Sequence, residues 1–381
     1  MALDALLDQY TQNETISQLE KFVDKLPIYD SLEIKENLAS IVLHLDSKTL
    51  TTEGVYDMSN IMLFKSMEEL TRDRVHLGLN NTFDSVLAGV ARQELILIGG
   101  VRGSGKSITC SNILTNQYEA GNTAVYFSIE MIAHEVLERN LSILANVPYM
   151  ALKQGSSTHS DMLKVIKARA DMFVDSNDLV MQYAKDNDRF KFETTLVKEK
   201  SLKSDNQMIL IDDRALTLTS IDLHLGKLKA RFGDKFKVAV IDYLNQIVIE
   251  GGNSNNKQFE WMQQVLVSKK LKEFARKHDV VLVSPYQIDA TGEARFAKGI
   301  LDAADIALIM EPHSKEDNAI SFDTTKIRSG PPMKFTSKIN WDTLRISPQS
   351  IEAPHKEEKP KRKSKSHKVE EGAADLPWTD K

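Results

Sequence analysis

Residues 99–107 read Gly99-Gly100-Val101-Arg102-Gly103-Ser104-Gly105-Lys106-Ser107, and this stretch decides the fold. The four residues before it, Leu95-Ile96-Leu97-Ile98, are an unbroken apolar run that suits a strand buried on both faces. Residues 108–118 after it read as a helix with Ile113 and Leu114 turned inward. Strand, glycine-rich turn and helix in that order turn a G-x-x-x-x-G-K-[ST] string into a phosphate site. From Gly100 through Val101, Arg102, Gly103, Ser104 and Gly105, backbone N–H groups converge on phosphate oxygens, and the following helix N-terminus adds partial positive charge. Lys106 would reach the outer phosphates as a point charge, and Ser107 would offer its hydroxyl to Mg²⁺. The implied ligand is a nucleoside triphosphate such as ATP.

The surrounding composition is that of a globular protein. The chain has 381 residues, 41% of them hydrophobic and 27% charged. No apolar run approaches the ~20 residues that cross a bilayer, and Met1-Ala2-Leu3-Asp4 opens no signal peptide, so no membrane partner and a cytoplasmic location are expected. The single cysteine, Cys110, fits a reducing compartment and reads as a packing residue of the helix after the glycine-rich turn. A net charge of −5 argues against an evenly basic nucleic-acid coat but leaves room for a local basic channel.

Residues 1–75 show helical periodicity through Leu6, Leu7, Tyr10, Ile16, Leu19, Phe22 and Val23. Pro27 interrupts, a second amphipathic run covers about 32–45, and a third short pattern covers 62–70. This region carries no catalytic pattern and reads as a helical arm or collar. Phe83, Val86 and Leu87 then approach the first strand and would cover one edge of the nucleotide domain. Apolar runs at 95–98, 124–129, 208–211, 238–241, 280–284 and 306–310 alternate with amphipathic helices, which predicts a mostly parallel sheet. A helix is expected over 133–147, and the polar stretch 154–205 reads as a helical excursion on the surface. The helix over 259–278 is expected to bury Met262, Val265, Leu266 and Phe274.

Acidic residues end three of these runs on the side where a parallel sheet binds its ligand. Asp242, after four hydrophobic residues, is placed to hold Mg²⁺ opposite Ser107. Glu130 is the candidate base that orients the water attacking the γ-phosphate. Asp212 or Asp213 has the alternative role of a helix cap.

The strings GGVRGSGKS, FSIEM (127–131), ILIDDRALTLTSI, VAVIDYLNQI, VVLVSPYQIDATG, GILDAADIALIM and TTKIRSGPP occur in that order between Gly78 and Ile346. Together they resemble the helicase domain of the DnaB-type replicative helicases, which are hexameric RecA-fold motors. The resemblance implies an α/β, RecA-like P-loop NTPase core at 76–347, preceded by a helical collar at 1–75 that is smaller than the family's. It implies that Glu130 is the catalytic carboxylate and Gln287 a sensor linking γ-phosphate to DNA loops. Lys326 and Arg328 would reach across a subunit interface as basic piston and arginine finger. Their alternate spacing on an extended segment puts both cations on one face.

The same resemblance places DNA contacts in two loops facing the ring centre. The first offers Asn253, Asn255, Asn256 and Lys257, and the second Arg295, Phe296 and Lys298. Two cations beside an aromatic can track a single-stranded backbone. The expected activity is ATP-driven translocation on single-stranded DNA and duplex unwinding at a replication fork, in a homo-hexamer from a bacteriophage (host cytoplasm). The alternatives are a RecA-type recombinase and an ATP-gated loader or scaffold on DNA. Residues 348–381 turn into a charge run that reads as disordered. It ends in Leu376-Pro377-Trp378, a cluster suited to recruiting a primase, polymerase or helicase loader, or else part of a solubilising tail.

Overall fold

The computed structural model describes residues 2–49, 58, 64, 66–204, 206–248, 257–288, 298–314, 316–328 and 330–354. Two long helices come first, α1 (Ala2–Lys25) and α2 (Ser31–Thr49). The Asp30 carboxylate accepts from the backbone N–H groups of Leu32 and Glu33, while the Glu33 carboxylate reaches back to the Asp30 N–H, a capping box that starts α2. Of the third helical pattern only α3 (Met67–Arg72) lies among the described residues. A small ribbon, β1 (Arg74–Val75) with β2 (Val90–Ala91), encloses α4 (Asn81–Val86). Phe83 and Leu87 are buried here, but Val86 points outward at 50% exposure, contrary to the expected edge cover. One short helix can bury only one stripe.

The central layer is a nine-stranded sheet. Its strands are β3 (Leu95–Gly100), β4 (Thr123–Ser128), β5 (Met208–Asp212), β6 (Phe236–Asp242), β7 (Val281–Gln287), β8 (Ile306–Pro312), β9 (Ala319–Ile327), β10 (Lys334–Asn340) and β11 (Arg345–Ser350). They lie in the order β11-β10-β9-β8-β3-β7-β6-β4-β5. The six predicted strands are the parallel ones, while β9, β10 and β11 add an antiparallel edge. The edge was hidden in sequence because Lys, Asp and Thr alternate with its apolar residues. Alternation places Ile96 and Ile98 in one core and Leu95 and Leu97 in the other.

Helix α5 (Lys106–Glu119) lies on the first face, with Cys110, Ile113 and Leu114 buried. Burial pushes the Cys110 thiol well above its ordinary value, as for an inert packing residue. Helices α6 (Ala133–Ala145) and α7 (Tyr149–Lys153) lead into α8 (His159–Ala170), α9 (Asn177–Asp186) and α10 (Arg189–Glu199). The stretch expected to be a polar surface excursion builds a core of its own, in which Val165, Ile166, Tyr183, Phe192 and Leu196 are buried together with Leu141 and Val147. Its apolar residues are sparse but fall on one face of each helix.

The second face is covered by α11 (Leu218–Phe232) and α12 (Lys257–Lys277). Phe274 is buried and Val265 packs against the core, but Met262 and Leu266 are each 45% exposed, so α12 turns a narrower stripe inward than its composition suggested. No helix among the described residues is long and apolar enough to cross a membrane.

Candidate nucleotide site

The parallel strands β3, β4, β6 and β7 present their carboxyl ends along one rim of the sheet, where α/β proteins collect ligands. A cavity of about 490 Å³ opens there, lined by Arg102, Gly103, Gly105, Lys106, Ser107, Ile108, Glu130, Arg139, Asp242, Tyr243 and Gln287. Residues separated by more than a hundred positions in sequence thus converge because four strands end together.

The glycine-rich turn supplies the floor. Gly105 adopts φ +95°, a left-handed conformation that side chains rarely take, and so begins α5 directly from the turn. A Cβ on Gly99 would stand 2.5 Å from the Tyr286 ring, so strand and neighbour are packed too closely for any side chain there. Lys106 Nζ donates to the carbonyls of Gly100 at 2.7 Å and Val101 at 2.8 Å. Burial lowers the proton affinity of the Lys106 ammonium, while Asp242 and Glu130 pull the other way.

Asp242 ends β6 and is 7% exposed. Its carboxylate accepts from the Tyr126 hydroxyl of β4, and Ser107 lines the same cavity. Burial raises its proton affinity, and Tyr126, Ser107 and Arg139 oppose the rise. The peptide between Asp242 and Tyr243 is cis. Glu130 sits in the turn after β4, closed by Ser128 Oγ donating to the Met131 carbonyl at 2.6 Å. Gln246 Nε2 donates to Glu130 Oε1 at 2.6 Å, and the Tyr243 hydroxyl also bonds this carboxylate. Gln287 ends β7 directly opposite Gly100, and Ile288 N donates to the Gly100 carbonyl at 3.3 Å. The end of β7 and the glycine-rich turn are therefore one hydrogen-bonded unit.

Of the acids at strand ends, Asp212 takes the capping alternative, accepting from Ala133 N at the start of α6, while Asp213 accepts from Ala215 N in the turn after β5 and caps no helix.

Arg139 joins the site without having stood out in the sequence. It lines the cavity, and its Nε and Nη1 are buried without a hydrogen-bond partner among the described residues. The signal was a lone arginine on the stripe of α6 that buries Val136 and Ile143. Tyr126 and Gln246 did not stand out either, since nothing local marks a strand tyrosine or a turn glutamine as a partner of a carboxylate.

Lys326 and Arg328 do share a face, but that face is not the cavity's. Lys326 Nζ donates to the carbonyls of Leu301 and Asp302, each at 2.8 Å, and Arg328 Nη1 lies 3.4 Å from Asp305 Oδ1. Asp305 is 5% exposed and also accepts from Lys272 at 2.7 Å and from Leu95 N at 2.8 Å. Among expected DNA contacts, Lys257 begins α12 and Lys298 begins a short 3₁₀ helix, Lys298–Asp302. Asn253, Asn255, Asn256, Arg295 and Phe296 lie outside the described residues, as do Leu376, Pro377 and Trp378.

The model of the DnaB-like helicase C-terminal domain family matches residues 75–301. A probable replicative DNA helicase of Trieres chinensis is 24% identical over 281 residues, covering 70% of this chain and 53% of the relative. The replicative DNA helicase DnaB of Geobacillus stearothermophilus is 25% identical over 294 residues, covering 71% and 57%. The chain spans about half the length of four of these curated relatives and 23% of another, the replicative DNA helicase DnaB of Nostoc sp.. Among solved structures, an ATPase domain aligns with a TM-score of 0.58 at 17% identity, over 84% of this chain and 99% of that one. A DnaB-like replicative helicase, described with its interactions with primase, aligns with a TM-score of 0.64 at 16% identity, over 92% and 78%. These two share the fold.

Proposed function

The chain belongs to the DnaB-like helicase C-terminal domain family, and from that premise we propose that it is a replicative DNA helicase. In this reading, ATP hydrolysis drives translocation along single-stranded DNA and separates the duplex at a replication fork. The observation that carries it is the convergence of Lys106, Ser107, Glu130, Asp242 and Gln287 on one cavity at the strand ends.

Each residue then has a physical task. Backbone N–H groups of 101–106 and the start of α5 bind the phosphates, and Lys106 exchanges its carbonyl partners for phosphate oxygens. Ser107 and Asp242, together in the cavity lining, form the small all-oxygen pair that would suit Mg²⁺ beside a phosphate chain. When bound, the ion spreads the charge that develops on the transferring phosphoryl group. Glu130 orients the attacking water. Arg139, with two buried nitrogens that lack a partner among the described residues, offers a further cation to the phosphates.

Lys326 and Arg328 complete the site of a neighbouring subunit in a homo-hexamer, where such a finger is worth about 10³–10⁵ in rate. Their attachment to the segment 301–305 of their own chain, away from their own cavity, supports action in trans. The stretch 253–257 and Arg295, Phe296 and Lys298 contact single-stranded DNA. Helices α1 and α2 leave Ile16, Val23, Leu32 and Val42 exposed, which suits a collar packing on other subunits. The tail at Leu376-Pro377-Trp378 recruits a primase, polymerase or loader. ATP hydrolysis with and without single-stranded DNA, alongside strand displacement on a forked duplex, tests the proposal. DNA-stimulated turnover that powers displacement is expected. Turnover indifferent to DNA, with no displacement, would refute the motor.

A further inference from the structure

Glu130 is exposed to the cavity, yet its carboxylate is held. Gln246 Nε2 donates to Glu130 Oε1 at 2.6 Å and lies 3.1 Å from the Tyr243 hydroxyl, so one amide nitrogen gathers both groups. Gln246 ends the 3₁₀ turn Leu244–Gln246 that follows β6. Its backbone is anchored on both sides, by Leu244 and Ile247 buried in the second core and by Gln246 N donating to the Tyr243 carbonyl. The neighbouring amide goes elsewhere, with Asn245 Nδ2 donating to Gln264 of α12 at 2.8 Å. Of the two amides in this turn, only that of Gln246 is presented from a fixed base toward the carboxylate.

We propose that Gln246 is a positioning residue for ATP hydrolysis, holding the Glu130 carboxylate in one orientation over the glycine-rich turn. The proposal rests on the reading of Glu130 as the group that orients water. An exposed glutamate with three rotatable bonds samples many positions, and only those within reach of the attacking water are productive. A charge-assisted hydrogen bond from a donor with a fixed backbone selects among them. Gln246 reaches nucleotide only through Glu130, so its loss lowers turnover while leaving ATP affinity alone.

The test compares wild type with Gln246→Met, which keeps length and shape but has no N–H donor, in steady-state ATP hydrolysis on single-stranded DNA. Glu130→Gln and the double variant are measured beside it under single-turnover conditions. The expected result is a kcat about 10- to 100-fold lower for Gln246→Met, with KM for ATP within about twofold of wild type. The double variant should lose nothing beyond Glu130→Gln, because both changes act on the same carboxylate. Wild-type kcat in Gln246→Met beside a dead Glu130→Gln would overturn the tether alone. So would a rise in KM that matches the loss of kcat, or a full further loss in the double variant. Undiminished turnover in Glu130→Gln would overturn the role of Glu130, and the tether would fall with it.

Discussion

Arg139 keeps two guanidinium nitrogens buried without a partner among the described residues, at a cost of about 1–3 kcal/mol for each unsatisfied group. A residue held against that cost beside the glycine-rich turn fits the ligand-binding role proposed for it. Arg139→Met should therefore raise the melting temperature while weakening binding of a fluorescent ATP analogue by about tenfold or more. Weaker binding with a lower melting temperature would make Arg139 structural instead. Glu130→Gln should keep nucleotide binding and lose about 10²–10⁴-fold in kcat, measured in the same preparation. At this scale much of the site was legible. Lys106, Ser107, Glu130, Asp242 and Gln287 follow strands whose apolar runs announce them, so strand ends locate them. Arg139, Tyr126 and Gln246 reach the site through helix packing, strand pairing and a turn, which periodicity does not encode.

Between elements, α11 and α12 are clamped by Asp222 and His278, 2.5 Å apart and both under a tenth exposed, with Lys277 at 3.3 Å. Burial works against the Asp222 charge, but the bonds from His278 and Lys277 outweigh it and hold its carboxyl below the ordinary range. A depressed carboxyl stabilises the fold above its unfolded value of about 3.9, and that contribution is lost as pH falls through the lower folded value. Melting temperature should thus drop more steeply below about pH 4 in wild type than in Asp222→Asn. His278→Ala should cost about 3 kcal/mol at neutral pH by leaving a buried carboxylate short of its partner, measurable by urea unfolding. A neutral effect would mean the pair is solvated.

The α8–α10 subdomain makes a separate prediction. Leu196→Ala should destabilise the protein by about 2–5 kcal/mol in the same assay. ATP turnover at low temperature should persist, since no residue of α8–α10 lines the nucleotide cavity. The parallel strands and the helices around them could be read from sequence because burial on both faces leaves uninterrupted apolar runs. The antiparallel edge β9–β11 and the subdomain core could not. Their apolar residues are diluted by polar ones that face solvent, and only tertiary pairing shows which of them meet.

At the scale of the whole molecule, the nucleotide cavity gathers every predicted catalytic group except two. Lys326 and Arg328 stand at the far end of β9 against Leu301, Asp302 and Asp305. Asp305 ties that end to Leu95 N, at the start of the strand that leads into the glycine-rich turn, and to Lys272 of α12. In the proposed ring, a second copy would bring these two cations to the phosphates beside Lys106 and Arg139. The most direct measurement is ATP hydrolysis on single-stranded DNA for wild type, for Arg328→Ala, and for mixtures of the two at constant total protein. With the finger acting in trans, Arg328→Ala alone should be nearly inactive, and turnover in mixtures should fall more steeply than the wild-type fraction. A straight-line decline would contradict action in trans, because each chain would then be hydrolysing ATP with its own residues.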